Sequence, residues 1–110
     1  MKNIMNTMNL VKKAQEVQSE IAAIQKQLGE QAVTGSASNG AVQVTMTGKM
    51  LPQAVKIKPE LLTQVDSETL EDLVLVALKY AKNKADTLMD EAFKELKKRY
   101  NLPDNFDMFS

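Results

Sequence analysis

The apolar residues of the first 30 positions recur at helical spacing. Six of them follow one another at intervals of 4, 3, 4, 3 and 4 residues: Leu10, Ala14, Val17, Ile21, Ile24 and Leu28. This period places them in one stripe along a helix, and Lys, Gln and Glu occupy most of the other faces. Glycine is common at the C-terminal end of helices, so Gly29 is expected to end this one. The pattern therefore predicts a long amphipathic helix over residues 3–28.

The middle of the chain changes to a period of two. Apolar and polar residues alternate over residues 42–47 and again over residues 54–58, which is typical of half-buried strands. The short segment QAVTG adds a third strand, and Pro59 should end the last one because proline cannot donate to a ladder. Short connections between the three segments predict a three-stranded antiparallel meander.

A second long helix follows, with Asp66 or Ser67 as its cap. Its apolar positions again recur every three or four residues, and Pro103 with the turn formers around it ends it near Asn101. The predicted fold class is α+β: a long helix, a three-stranded antiparallel β-meander and a long helix. We expect one domain over residues 1–100 and a flexible tail over residues 101–110.

Both predicted helices are longer than the small sheet, so part of each apolar stripe needs further cover. The segment from Leu73 to Leu78 is apolar on every side of the helix, which indicates burial on several sides. A second copy of the chain would supply this cover, and we therefore predict a homodimer. The residues predicted to form the core or the dimer contact are Val42, Val44, Val55, Ile57, Leu73, Val74, Val76 and Leu78.

The segment VTGSASNGAVQVTMTG, residues 33–48, admits two interpretations. Gly35 and Gly40 are separated by four residues, as in a phosphate-binding loop. Such a loop, however, continues into a Lys and a helix whose N-terminus faces the phosphate, whereas here Ala41 and Val42 begin a strand. The dipeptide Asn39-Gly40 is typical of a tight hairpin. We therefore interpret the segment as a hairpin.

Composition excludes several classes of chemistry. The chain has no Cys and no His, so it cannot hold the usual zinc sites, a thiol nucleophile or a Ser-His-Asp triad. No pair of carboxylates has a spacing suited to acid–base catalysis, and we expect no enzyme activity, no cofactor, no metal and no small-molecule substrate. The longest apolar run has six residues, compared with the ~20 needed to span a bilayer. We expect a soluble, cytoplasmic protein without a signal peptide or membrane partner.

The formal net charge is zero, but its distribution is uneven: residues 1–59 carry +4 and residues 60–110 carry −4. If the helices run antiparallel, the start of the first lies beside the end of the second. That arrangement predicts a basic patch at the helical tips, formed by Lys2, Lys12, Lys13, Lys94, Lys97, Lys98 and Arg99. Basic residues in a last helical turn also simply offset the helix dipole, so charge alone leaves both readings open.

The segment VTGSASNGAVQVTMTGKMLPQAVKIKPELL resembles the signature region of the YbaB/EbfC family of nucleoid-associated proteins. The start of the last helix, ETLEDLVLVAL, is also similar to that family. The matching residues in the signature are Gly35, Ser36, Gly40, Val42, Val44, Gly48, Val55, Ile57, Pro59, Leu61 and Leu62. The resemblance implies a tweezer-like homodimer that binds duplex DNA with little sequence preference and contributes to nucleoid organisation and gene regulation in bacteria.

A second function remains compatible with the same fold. A helical adaptor could use the helix tips, or the Phe- and Met-containing tail, to bind a protein or ribonucleoprotein partner. Net neutrality favours this alternative, and a strong salt dependence of DNA affinity would favour the first.

Overall fold

The computed structural model describes the backbone of residues 2–103 and the side chains of residues 8–103. Helix α1 is followed by three strands, one 3-10 helix and helix α2. Their bounds are α1 Lys2–Glu30, β1 Ala32–Ala37, β2 Val42–Thr47, β3 Pro52–Ile57, the 3-10 helix Pro59–Thr63 and α2 Ser67–Arg99. The predicted α+β order is confirmed. Pro59 does more than follow the last strand, because it opens the 3-10 helix.

The three strands form an antiparallel sheet in the order β1-β2-β3. Val44 in the central strand lies opposite Gly35 on one side and Val55 on the other. Helix α2 packs on β1 and β2, whereas β3 is exposed along its whole length except for the half-buried Ile57. The sheet is thus wider than the helix that covers it.

The loop between β1 and β2 is a tight hairpin, as the sequence predicts. Ser38, Asn39 and Gly40 all have positive φ angles, of 54°, 56° and 85°, and the Ala41 N–H donates to the Ser38 carbonyl. Asn and Gly adopt this conformation at the lowest cost. The loop leads directly into β2 and not into a helix, as a phosphate-binding loop would, so the phosphate-cradle interpretation is excluded.

One hydrophobic core, called here the sheet core, lies between the sheet and the first half of α2. Small residues allow a close approach: Ala77, Ala81 and Ala85 are fully buried. A Cβ atom on Gly35 would lie 2.2 Å from the backbone of both Ala77 and Ala81. Only glycine therefore allows β1 to pack this closely on α2.

A second core, called here the helix-pair core, joins the last part of α1 to the last part of α2. Leu28, Phe93 and Leu96 are buried at its centre. Gly48, in the turn after β2, connects the two cores, because its N–H donates to the Leu28 carbonyl with an N···O distance of 2.9 Å. Helix α2 thus contributes to both cores.

The molecule is a rod with extents of 76 × 21 × 19 Å. At 1.5 Å per residue the two helices are about 43 and 50 Å long, so they overlap over only part of their lengths. Leu28 and Leu88 both approach Gly48, while Glu20 meets Arg99. The helices are therefore antiparallel, and the first half of α1 extends beyond the end of α2.

The residues predicted for the core or the dimer contact divide into three groups. Val42 and Val44 are buried in the sheet core, and Ile57, Leu73 and Val74 pack against it half-buried. The remaining three do not belong to the core of the protomer, because Val55, Val76 and Leu78 are 55%, 39% and 37% exposed. Val55 lies on β3, beyond the edge of α2. The other two flank Ala77, and neighbouring positions on a helix point about 100° apart.

The predicted boundary between domain and tail lies at residue 100, and the structure describes only residues 101–103 beyond it. Leu102 packs against the helix-pair core. Asp104–Ser110, the rest of the predicted tail, lie outside the described residues.

Candidate nucleic-acid interface

Helix α2 ends in a defined turn rather than by fraying. Asn101 has a positive φ of 54°, and the Leu102 N–H donates to the Lys97 carbonyl across 2.8 Å. The Asn101 N–H also lies 3.3 Å from the Lys98 carbonyl. This pair of hydrogen bonds is the Schellman motif, with the apolar Leu102 packed back on the helix. The turn fixes the position of the basic last turn, Lys97 to Arg99.

Glu20 of α1 binds the end of α2 through both carboxylate oxygens. Arg99 donates to its Oε2 atom across 2.5 Å, and the Tyr100 hydroxyl donates to its Oε1 atom across 3.1 Å. Burial, and then the hydrogen bond and negative charge of Glu20, raise the pKa of Tyr100 above its ordinary value. The charge of Arg99 is therefore partly neutralised by a structural partner.

The predicted juxtaposition of the two basic helix ends is wrong. Arg99 lies level with Glu20, and Lys13 and Lys12 precede Glu20 by seven and eight residues, or about 10 and 12 Å along the helix. Lys2 begins α1 about 27 Å from the same level, and its side chain is outside the described part. The helices align through the apolar contacts of Leu28, Phe93 and Leu96, and not through their ends.

The basic residues nevertheless share one end of the rod. Lys12, Lys13, Lys94 and Lys98 are exposed, whereas Lys97 is half-buried and makes an interaction of its own. Residues 8–20 and 94–99 together contain six basic and three acidic residues. This surface, called here the basic end, carries a net positive charge in a staggered row rather than in one cluster.

The opposite end of α2 is acidic. Residues 60–72 contain five carboxylates and no basic residue. One of them, Asp66, caps α2 by accepting a 2.8 Å hydrogen bond from the Thr69 N–H. Hydrogen bonds from the Thr69 side chain and backbone lower the pKa of Asp66 below its ordinary value of 3.8. The long helix thus separates an acidic end from a basic one.

A row of exposed lysines suits contacts with phosphates more than contacts with bases. Each ammonium group is a mobile point charge that positions a partner without reading sequence. The planar guanidinium that reads guanine is present only in Arg99, which Glu20 already binds. The arrangement favours a polyanion recognised by its charge.

Two features of this end were missed by the sequence analysis. The Glu20–Arg99 contact joins residues 79 positions apart, and no local pattern indicates it. Leu10 was identified as part of the apolar stripe, yet it is 66% exposed because α2 does not reach it.

Other kinds of site find little support in the described part of the chain. Residues 2–103 contain no group of three or more Asp, Glu, Cys or His side chains placed to hold a metal ion. None of the helices in the same range combines the length and hydropathy needed to cross a bilayer.

Comparison with known proteins gives a consistent result. Residues 1–100 match the model of the YbaB/EbfC DNA-binding family. A nucleoid-associated protein of Paramagnetospirillum magneticum is 43% identical over 103 residues, covering 94% of this chain and 96% of that protein. A nucleoid-associated protein of Bartonella bacilliformis is 37% identical, covering 94% and 97%.

The fold also matches a solved structure. A crystal structure of a protein from Helicobacter pylori superposes with a TM-score of 0.62, covering 82% of this chain and 90% of that one. Sequence identity in this pair is 20%, so the comparison supports the fold alone.

Proposed function

Because the chain belongs to the YbaB/EbfC DNA-binding family, we propose that it is a nucleoid-associated protein that binds duplex DNA through its basic end. It acts in the cytoplasm, on the bacterial nucleoid, and contributes to nucleoid organisation and gene regulation. The curated relatives named above are nucleoid-associated proteins, and this chain covers nearly their full length.

The observation that carries this proposal is the separation of charge along the rod. The exposed Lys12, Lys13, Lys94 and Lys98 lie at one end, and the five carboxylates of residues 60–72 lie at the other. A polyanion is attracted to the first end and repelled by the second. DNA therefore approaches the helical end, although the net charge of the whole chain is zero.

Binding has little sequence preference. Lysine–phosphate contacts supply affinity that depends on counterion release and not on base sequence. Arg99 keeps Glu20 as its partner, which leaves no free guanidinium to read a base pair among residues 8–103.

The active form in this proposal is a homodimer shaped like tweezers. Val55 and Leu62 are more than half exposed, and Leu75, Val76 and Leu78 on α2 are 48%, 39% and 37% exposed. Burying such side chains stabilises an association by roughly 25 cal/mol per Å² of apolar surface. A second copy covering them presents two basic ends to one duplex.

A salt titration tests the DNA-binding proposal. The affinity for a labelled duplex of ~30 bp is measured by fluorescence anisotropy, with two different sequences at each salt concentration. The logarithm of affinity falls by about 0.9 per neutralised phosphate for each unit of log salt, so the slope counts the contacts. We expect a slope of several units that is the same for both sequences. No binding even at low salt contradicts the proposal.

Two matched variants locate the interface. The first replaces Lys12, Lys13, Lys94 and Lys98 by Gln, and the control replaces Lys49, Lys56, Lys58 and Lys79, which are also exposed but lie outside the basic end. Each variant removes four charges. We expect the first to reduce the slope by roughly three to four units for each protomer that contacts the duplex and the affinity at least tenfold, and the control to change the slope by less than one unit. If both variants lose the same amount of DNA affinity, the interface lies elsewhere on the protein.

A further inference from the structure

The part of α1 that extends beyond α2 is narrower than the rest of the rod. Helix α2 ends level with Glu20, and Met8 precedes Glu20 by twelve residues, or about 18 Å of helix. All of residues 8–16 are exposed, so the described part of the chain does not cover this stretch. A single α-helix is about 10–12 Å wide with its side chains, whereas two packed helices have axes about 8–10 Å apart and are nearly twice as wide.

This stretch of α1 has an exposed apolar face with a lysine at each border. Met8, Leu10 and Val11 are 58%, 66% and 52% exposed. At about 100° per residue, these three side chains span roughly 160° of the helix circumference. Lys12 lies about 40° beyond Met8 at one border, and Lys13 lies about 60° beyond Leu10 at the other. An ammonium group therefore lies on either side of the apolar face.

The polar residues near this face are placed to suit the same partner. Glu16 lies about 160° around the helix from the centre of the face, so its carboxylate is on the opposite side. Gln15 lies within the face, about 40° from Val11. A glutamine amide pairs with adenine at the edge that adenine presents in the major groove of DNA. The face thus combines apolar groups, one amide and two bordering cations.

The major groove of DNA fits this surface in width and in chemistry. The groove is about 12 Å wide and admits an α-helix, whereas the minor groove is about 6 Å wide. Thymine presents its methyl group there, and apolar side chains contact it. Lysines at both borders of the face reach the phosphates of the two strands. A second copy of the same helix fits less well, because pairing two such faces brings like charges together.

We propose that this part of α1 enters the major groove and contacts thymine methyl groups through Leu10 and Val11, an inference that rests on the DNA binding proposed above. Burial of one methyl group raises affinity by up to about fourfold. The phosphate contacts are the same for every sequence, so the preference for A·T-rich DNA is only several-fold. The basic end thus reads a methyl group in addition to the charge of the backbone.

Replacing thymine by uracil tests the contact directly. The replacement removes the methyl group and leaves the base pairing and the number of phosphates unchanged. Fluorescence anisotropy compares two labelled A·T-rich duplexes of identical sequence, one with thymine and one with uracil. We expect the thymine duplex to bind several-fold more tightly, with the same salt slope. Equal affinities overturn the inference, and they also result if the helix enters the minor groove, where thymine has no methyl group.

Two leucine variants assign the preference to this face. Leu10→Ala removes apolar area while it keeps the charge and a residue that favours helix. Leu51→Ala is the matched control, because Leu51 is 58% exposed and lies in the turn before β3. We expect Leu10→Ala to lower the ratio of thymine to uracil affinity at least twofold and Leu51→Ala to leave it unchanged. The same ratio in both variants overturns the contact.

The remaining outcomes separate this inference from the proposed function. If Leu10→Ala leaves the ratio unchanged but shifts the protein toward monomer in sedimentation equilibrium, the apolar face binds a second copy and the groove contact is wrong. Salt-dependent binding of both duplexes with equal affinity overturns the methyl contact and leaves the proposed function standing. Failure to bind either duplex at low salt overturns both.

Discussion

Arg99 and Glu20, 79 residues apart in sequence, join the end of α2 to the middle of α1. The second oxygen of the same carboxylate accepts the hydroxyl of Tyr100. This contact marks the level on α1 at which α2 ends, and so shows how the basic residues of the two helices are spaced along the rod. It also means that the one arginine of the chain has a structural role.

Exchanging the two charges tests that structural role. Arg99→Glu alone places two carboxylates together, and we expect it to lower the free energy of unfolding by about 1 kcal/mol, since exposed ion pairs contribute ~0.2–1 kcal/mol. Adding Glu20→Arg restores the pair with opposite polarity and should recover most of the loss. Urea denaturation of the single and double variants measures the coupling. A double variant no more stable than Arg99→Glu would show that the pair does not stabilise the helix contact.

Substitution of Gly35 should be among the most damaging single changes in the sheet. A Cβ atom there would lie 2.2 Å from the Ala77 oxygen and the Ala81 nitrogen, so Gly35→Ala must separate β1 from α2. We expect a loss of at least ~1–3 kcal/mol in the free energy of unfolding, as for other overpacked cores. Gly29→Ala is the matched control, because the nearest atom to its new Cβ is the flexible Lys49 Cδ at 3.5 Å.

Gly29 lies within α1, so its replacement by Ala should stabilise the protein by up to about 1 kcal/mol. Chemical denaturation of both variants provides the comparison. Equal effects of the two substitutions would contradict the close approach of β1 to α2.

The element order was predictable from sequence because each signal is local. The 3.6-residue period of α1, the alternation in β2 and the Asn39-Gly40 turn each depend on neighbouring residues only. The cap of α2 was predicted in the same way to be Asp66 or Ser67, and in the structure it is Asp66.

The relative placement of the helices was not predictable in this way. The alignment depends on which apolar side chains meet, Leu28 with Phe93 and Leu96, and those residues are distant in sequence. A charge pattern indicated that basic residues gather at one end, but it could not indicate that α1 extends beyond the end of α2. For the same reason the continuous run from Leu73 to Leu78 did not show which of its members face the sheet.

The exposure of Val76 makes it a suitable probe of the proposed dimer. At 39% exposure it contributes little to the protomer core, so Val76→Asp should preserve the fold and weaken association. We expect far-UV circular dichroism to be unchanged and sedimentation equilibrium to show a shift toward monomer of at least tenfold in the dissociation constant. Asn83→Asp, on the same helix, adds the same charge without removing an apolar group. An unchanged dimer in Val76→Asp would exclude this face from the interface.

Asp66 should make stability depend on pH in the acid range. Its pKa is lowered in the folded protein by the hydrogen bonds from Thr69, so its ionised form is favoured by folding. This contribution is complete above the ordinary pKa of 3.8 and is lost as pH falls through the lower, folded value. Asp66→Asn keeps an accepting oxygen at the cap but does not titrate.

We therefore expect the wild-type chain to exceed Asp66→Asn in stability near pH 6, and the difference to shrink steadily toward pH 3. Urea denaturation at a series of pH values measures it. A difference that is the same at every pH would show that the carboxylate charge is not involved in the cap.

One uninterrupted helix, α2, contributes to both cores. It therefore also determines how the basic end is rotated about the helix axis relative to the sheet. Ala85 in the sheet core and Leu88 beside the helix-pair core are three residues apart, and so lie on neighbouring faces. One residue inserted between them would turn the far end by about 100° and move it by about 1.5 Å, whereas seven would turn it by only about 20°. The spacing of residues along α2 thus determines the direction in which the lysines point.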